Sequence, residues 1–140
     1  MGLTAITLMA TVLGINESSA DALRNPKPNQ PVIGAYYANW ETGDHPISEI
    51  PADSITNLYY SFGGITDGVC DPSSVPAADV TALRALKAAH PKLQVSISIG
   101  GWGAGGFSDA ALTDASRKKF VGACLNTFFG TYKGTFDGVD

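Results

Sequence analysis

Tyr36, Ser98 and Asp140 sit toward the carboxyl ends of three separate runs of β-branched and aromatic residues. These are VIGAYYANW at 32–40, LQVSISIG at 93–100 and a last run that opens as TFDGVD. In LQVSISIG, Val95, Ile97 and Ile99 fall on one side of a strand and Ser96 and Ser98 on the other. One face of that strand therefore meets a polar interior, unlike a strand covered by helices on both faces. The same period of two puts Tyr36, then Tyr60 and Phe62 of ITNLYYSFGGI at 55–65, and finally Asp140 into one set. Tyrosine, serine and aspartate at strand ends converge, in a barrel, on the face where active sites lie. The competing reading is that Tyr36 and Ser98 fill the interior by hydrogen-bonding each other. The pattern alone weighs the two equally.

Gly100-Gly101-Trp102 follows the third run directly and places Trp102 in a glycine-rich loop at the strand's carboxyl end. The apolar face of a sugar ring stacks on an exposed aromatic plane of this kind; the alternative is a Trp buried for packing. The same loop contains G-x-G-x-x-G at Gly101, Gly103 and Gly106, the pattern of a dinucleotide site. Such a site needs a helix opening at the third glycine, so that its N-terminus faces the pyrophosphate. Here the expected helix cap is Thr113, Trp102 crowds the backbone approach, and the strand is third in the chain rather than first. There is no C-x-x-C or H-E-x-x-H, and His45 and His90 are isolated, so neither a metal nor another cofactor is expected.

The elements that must position these residues are an alternation of strands and helices. Between the second and third runs, PAADVTALRALKAAH at 76–90 spaces Val80, Leu83 and Leu86 about one helical turn apart, with Pro91 as its stop. A second helix is expected from the N-cap Thr113 through Lys133, with Phe120, Cys124, Thr127 and Phe128 on one face and Gly134 just past its end. Strand, helix, strand, helix, strand implies an α/β fold with a parallel sheet. The link at 41–54 departs from ideal alternation, since Pro46 and Pro51 leave room for a single turn at most.

Composition narrows the function classes. The chain has 140 residues, 44% hydrophobic and 16% charged, with a net charge of -4. The nine Lys and Arg are scattered, so the basic footprint of a nucleic-acid binder is missing. Residues 3–15, LTAITLMATVLGI, form an apolar run too short to span a membrane, which takes about 20 residues. Its length suits a signal-peptide core, and Ala20-Asp21-Ala22 has the small-x-small pattern of a cleavage site, although no Lys or Arg precedes the run. We therefore expect a signal peptide at 1–22, a Pro-rich linker at 23–31, a secreted protein and no membrane partner. Cys70 is read as lying in a loop, and Cys124 about 11 residues into a helix, roughly 16 Å along its axis. Two buried, unpaired thiols are expected rather than a disulfide.

AYYANW at 35–40, YYSFGGI at 59–65, SIGGW at 98–102, SDAALTDASRKKF at 108–120 and FDGVD at 136–140 together resemble the catalytic domain of glycoside hydrolase family 18 chitinases. SIGGW followed by FDGVD carries the resemblance most specifically. It implies that 32–140 is the N-terminal part, strands one to four, of a (β/α)8 barrel. A complete barrel of this kind takes about 250 residues.

The resemblance further implies hydrolysis of β-1,4-linked N-acetylglucosamine polymers with retention, the substrate's own acetamido oxygen acting as nucleophile. Asp137-Gly138-Val139-Asp140 matches the first four positions of the family's D-x-x-D-x-D-x-E strand. Asp140 would share a proton with the motif's next Asp, held by Tyr36 and Ser98. Phe62 and Trp102, with Gly100 and Gly101, would line the sugar cleft, and Asp137 would support the strand. The motif's third Asp and its general-acid Glu fall two and four positions past Asp140, so the 140-residue chain alone is expected to be inactive. Half a barrel also leaves edge strands unpaired and helix faces uncovered, so it is expected to be poorly soluble. The expected partners are chitin or its oligosaccharides, and the full-length protein is expected to be monomeric. A chitinase-like lectin that has lost the acid is the second reading, and dinucleotide binding the third.

Overall fold

The computed structural model describes residues 31–140. The expected signal peptide, and the linker up to residue 30, lie outside the described residues.

Four strands form one parallel sheet in chain order. β1 (Gly34–Ala38) pairs with β2 (Asn57–Thr66). A hairpin strand, β3 (Val69–Asp71), turns back on the end of β2. β4 (Gln94–Ile99) pairs with the other side of β2, and β5 (Gly138–Val139) with β4. Strand neighbours that follow chain order in a parallel sheet are the arrangement expected for the opening strands of a (β/α)8 barrel.

Two helices supply the crossovers. α1 (Ala77–Ala89) follows Pro76 and buries Val80, Leu83 and Leu86, the three positions that the helical period selects. After a five-residue helix, α2 (Phe107–Ala111), the chain enters α3 (Asp114–Leu125). Thr113 and Ser116 cap α3 reciprocally, each hydroxyl accepting from the other residue's backbone N–H. The helix widens at its end into a π-turn, Asn126–Thr131, which drives Phe128 fully out of solvent.

Alternation along the strands then separates two faces. Tyr37, Leu58, Tyr60, Val95 and Ile97 are buried in one apolar core with Leu83, Leu86, Phe128 and Phe136. The residues between them, Tyr36, Tyr59, Ser61, Ser96 and Ser98, point to the other face. Truncating a fully buried side chain such as Leu83 is of the kind that costs about 2–5 kcal/mol.

Three sequence expectations are corrected here. First, Cys70 and Cys124 are joined by a disulfide, with Cα atoms 4.9 Å apart. Cys70 lies on β3 rather than in a loop, because Asp67 and Gly68 both take positive φ (53° and 72°) in a two-residue hairpin turn. Asp-Gly is a characteristic pair for that turn, and the hairpin carries Cys70 against Cys124 in the last turn of α3. Secondly, the 41–54 link holds more than a single turn. Short 3₁₀ turns at Ile47–Glu49 and Ala52–Ser54 bury Ile47 and Ala52, and another, Asn39–Glu41, follows β1. Thirdly, a helix does open directly after Gly106, as α2, rather than first at Thr113.

Candidate active site

At the carboxyl end of the sheet, the hydroxyls of Tyr36 on β1 and Ser98 on β4 both donate to Oδ2 of Asp140, at 3.0 and 2.8 Å. The register explains the convergence. Ser98 pairs with Ser61, Tyr36 with Tyr59, and Asp140 lies one step past β5, with its N–H donating to Ile97 O and its carbonyl accepting from Ile99 N–H, both at 2.9 Å. Asp140 is thereby held opposite Ser98, and the three side chains share the polar face.

The carboxylate acts back on its donor. The hydrogen bond to Asp140 pushes the Tyr36 phenol above its ordinary value, reinforced by slight desolvation and by the negative charge itself. Tyr36 therefore stays a neutral donor across the physiological range. Its ring also packs against Tyr59 at a tilt of 30°, with centroids 4.9 Å apart.

Tyr60, expected in the same set, is not there. Its side chain is fully buried on the helix side, where its hydroxyl donates to Asp79 of α1. The reason is parity: Tyr59 and Ser61, not Tyr60, are in register with Tyr36 and Ser98. Phe62 shares Tyr60's parity, yet the pairing of β2 with β4 slips between Ser61 and Gly63. That irregularity returns Phe62 to the site, stacked on Trp40 with centroids 5.9 Å apart.

The glycine-rich loop completes the rim. Gly100 and Gly101 take φ of 105° and 99°. A Cβ on Gly101 would lie 2.8 Å from the Phe62 ring, so the backbone's approach to that ring requires glycine here. Trp102 stands fully exposed at the tip and Trp40 is 64% exposed, which makes an aromatic rim of Trp40, Phe62 and Trp102.

Asp137 lies apart from this set. Its Oδ1 meets Lys87 Nζ at 2.7 Å and its Oδ2 accepts from Val95 N–H at 2.9 Å. The sequence reading missed Trp40 and Tyr59. The AYYANW pattern by itself gives Trp40 no role, and Tyr59 becomes visible only once the register with Tyr36 is known.

Chemically, the geometry presents a carboxylate held by two hydroxyls beside a row of open aromatic planes. Comparison with known proteins gives this arrangement a family. Residues 32–140 match the sequence pattern of Glycosyl hydrolases family 18. The endochitinase of Manduca sexta is 28% identical over 121 residues, covering 77% of this chain and 21% of its own length. Among solved structures, the Group IV chitinase of Ostrinia furnacalis superposes with a TM-score of 0.69 at 28% identity, over 79% of this chain and 32% of that one. Human YKL-39, a pseudo-chitinase with retained chitooligosaccharide binding, superposes with a TM-score of 0.66 at 27% identity, over 79% of this chain and 32% of that one. This chain thus spans about a fifth of the curated relative and a third of the two structures. On the match across residues 32–140, the chain belongs to glycosyl hydrolases family 18.

Proposed function

We propose that these residues form the opening strands of a secreted enzyme that hydrolyses β-1,4-linked N-acetylglucosamine polymers with retention. The observation that carries this reading is the pair of hydroxyl donors, Tyr36 and Ser98, on a single oxygen of Asp140.

In the proposed mechanism the substrate's acetamido oxygen attacks the anomeric carbon as the glycosidic bond breaks. A Glu four positions past Asp140 delivers the proton to the leaving oxygen. Water then opens the cyclic intermediate and restores the original anomeric configuration. Asp140, its Oδ2 occupied by two donors, offers Oδ1 to the motif's next Asp; two carboxylates so close share a proton because both cannot ionise cheaply. That shared proton orients the acetamido group. Trp40, Phe62 and Trp102 present planes to the sugar rings. No cofactor enters the scheme.

Secretion is supported by the apolar run at 3–15 with its Ala20-Asp21-Ala22 pattern, and by the Cys70–Cys124 disulfide, a bond that persists in oxidising compartments. Mass spectrometry of the protein recovered from medium is expected to show cleavage near residue 22.

The test is hydrolysis of N-acetylglucosamine oligosaccharides by the full-length protein, with the product anomer followed by NMR. Initial release of the β-anomer is expected, and D140N is expected to lower kcat by about 100-fold or more. Residues 1–140 alone are expected to release no reducing sugar. An inverted product, or full turnover in D140N, overturns the mechanism. The similarity to YKL-39 supports a second reading, a lectin of the same fold. Micromolar oligosaccharide binding with no turnover by the full-length protein would establish that one instead.

A further inference from the structure

We infer that Lys87 and Asp137 form a register pin that holds Asp140 at the site, which makes Lys87 a positioning residue for that carboxylate. The inference rests on the reading of Asp140 as part of the reacting site.

β5 contributes only two residues to the regular ladder, Gly138 and Val139. So short a strand has little of its own to fix its register, and a slip of one residue turns every side chain to the opposite face. Asp140 would then leave Ser98 and Tyr36 for the helix side of the sheet.

Asp137 closes that route. Its backbone N–H donates to Val95 O at 2.7 Å, while its carboxylate accepts from Val95 N–H at 2.9 Å. One residue thereby engages both backbone polar groups of Val95. Val95 is fully buried, so its N–H without an acceptor would carry a desolvation cost of about 1–3 kcal/mol. In a slipped register that acceptor is withdrawn.

Lys87 fixes the carboxylate that makes this contact. It reaches from the last turn of α1 to Asp137 Oδ1 at 2.7 Å, with the Lys and Asp side chains only 18% and 32% exposed. Partial burial reduces the screening that makes fully exposed pairs weak. Three elements, α1, β4 and β5, are thus tied at one carboxylate, three residues before the one that faces the substrate.

The test uses the full-length protein with Lys87→Met, which keeps the aliphatic stem, and Lys87→Arg, which keeps the charge. Amide hydrogen exchange is read at Ile99 and Asp140, the two N–H groups that bind β5 to β4 beside the site, with Tyr60 as an internal reference on β2. K87M is expected to speed exchange at Ile99 and Asp140 by about tenfold or more, with Tyr60 unchanged. It is also expected to lower kcat about tenfold with KM changed less than about twofold, and K87R is expected to restore both. Lys87→Gln carries the same readout should K87M fail to melt cooperatively. Unchanged exchange at Ile99 and Asp140 in both neutral variants overturns the pin, even where D140N confirms the site. Faster exchange together with full turnover in D140N leaves the pin standing and overturns the reading of the site.

Discussion

Tyr60 on β2 donates its hydroxyl to Asp79 on α1 at 2.5 Å, and both residues are out of solvent. Asp79 lies in the first turn of α1, where the helix dipole favours a negative charge, and its other contact is Thr42 Oγ1 at 3.4 Å. Removing the Tyr60 hydroxyl leaves a buried carboxylate short of its main donor. Tyr60→Phe is expected to destabilise the fold by about 1–3 kcal/mol, measured as a lower denaturant midpoint with unchanged m-value.

The same pair predicts an alkaline limit. Burial, and then the hydrogen bond to Asp79, raise the Tyr60 phenol well above its ordinary value of 10.0. The folded state therefore keeps its proton where the unfolded chain has lost it. The contribution to stability is complete below pH 10 and falls as pH rises from there toward the folded-state value. Unfolding curves at pH 9 to 11.5 are expected to show a steeper decline for the wild type than for Tyr60→Phe, and equal slopes would overturn the assignment.

The Cys70–Cys124 bond closes a sequence separation of 54 residues and joins β3 to α3. Chain entropy for a loop of that length gives a stabilisation of about 4 kcal/mol. Reduction, or replacement of both cysteines by Ser, is expected to lower stability by about 2–4 kcal/mol in chemical denaturation. A change below about 0.5 kcal/mol would show that the reduced unfolded chain already retains structure that keeps the two segments close.

Gly101→Ala forces a side chain onto a backbone at φ 99° and into the Phe62 ring. Strain of about 1–3 kcal/mol is expected, together with displacement of Phe62 from Trp40. Calorimetric titration of the full-length protein with N-acetylglucosamine oligosaccharides should show weaker binding. Native affinity in the variant would remove Phe62 from the sugar-lining set.

Trp102 is fully exposed, so its indole contributes nothing to the core. Trp102→Ala is expected to leave the melting temperature within about 1 °C, because exposed substitutions away from structural features stay within about ±0.5 kcal/mol. Oligosaccharide affinity is expected to fall about tenfold, as for the loss of a large apolar contact of about 1–2 kcal/mol. A drop in stability without a drop in affinity would assign Trp102 to packing.

Much of the architecture was legible in the sequence because periodicity records burial directly. Val80, Leu83 and Leu86 marked the buried face of α1, the alternation in LQVSISIG separated a helix-facing side from a polar one, and Thr113 announced the cap of α3. The aromatic and glycine motifs likewise placed Tyr36, Ser98 and Asp140 at strand ends. Local pattern suffices for such features, since each depends on neighbours within a turn or two of the chain.

What tertiary structure decided was every relation that depends on register between distant segments. Strand period alone grouped Tyr60 with Tyr36, and only the pairing of Tyr36 with Tyr59 sends Tyr60 to the helix side. The slip between Ser61 and Gly63 then restores Phe62, a displacement that no period of two contains. A loop position for Cys70 and a place well along a helix for Cys124 suggest no pairing, whereas the Asp67-Gly68 turn folds one onto the other. The contact of Lys87 with Asp137, 50 residues away, follows from α1 packing back on the sheet. Sequence sets which side chains prefer water, hydrogen bonds or apolar company; the closing of the chain on itself decides which of them meet.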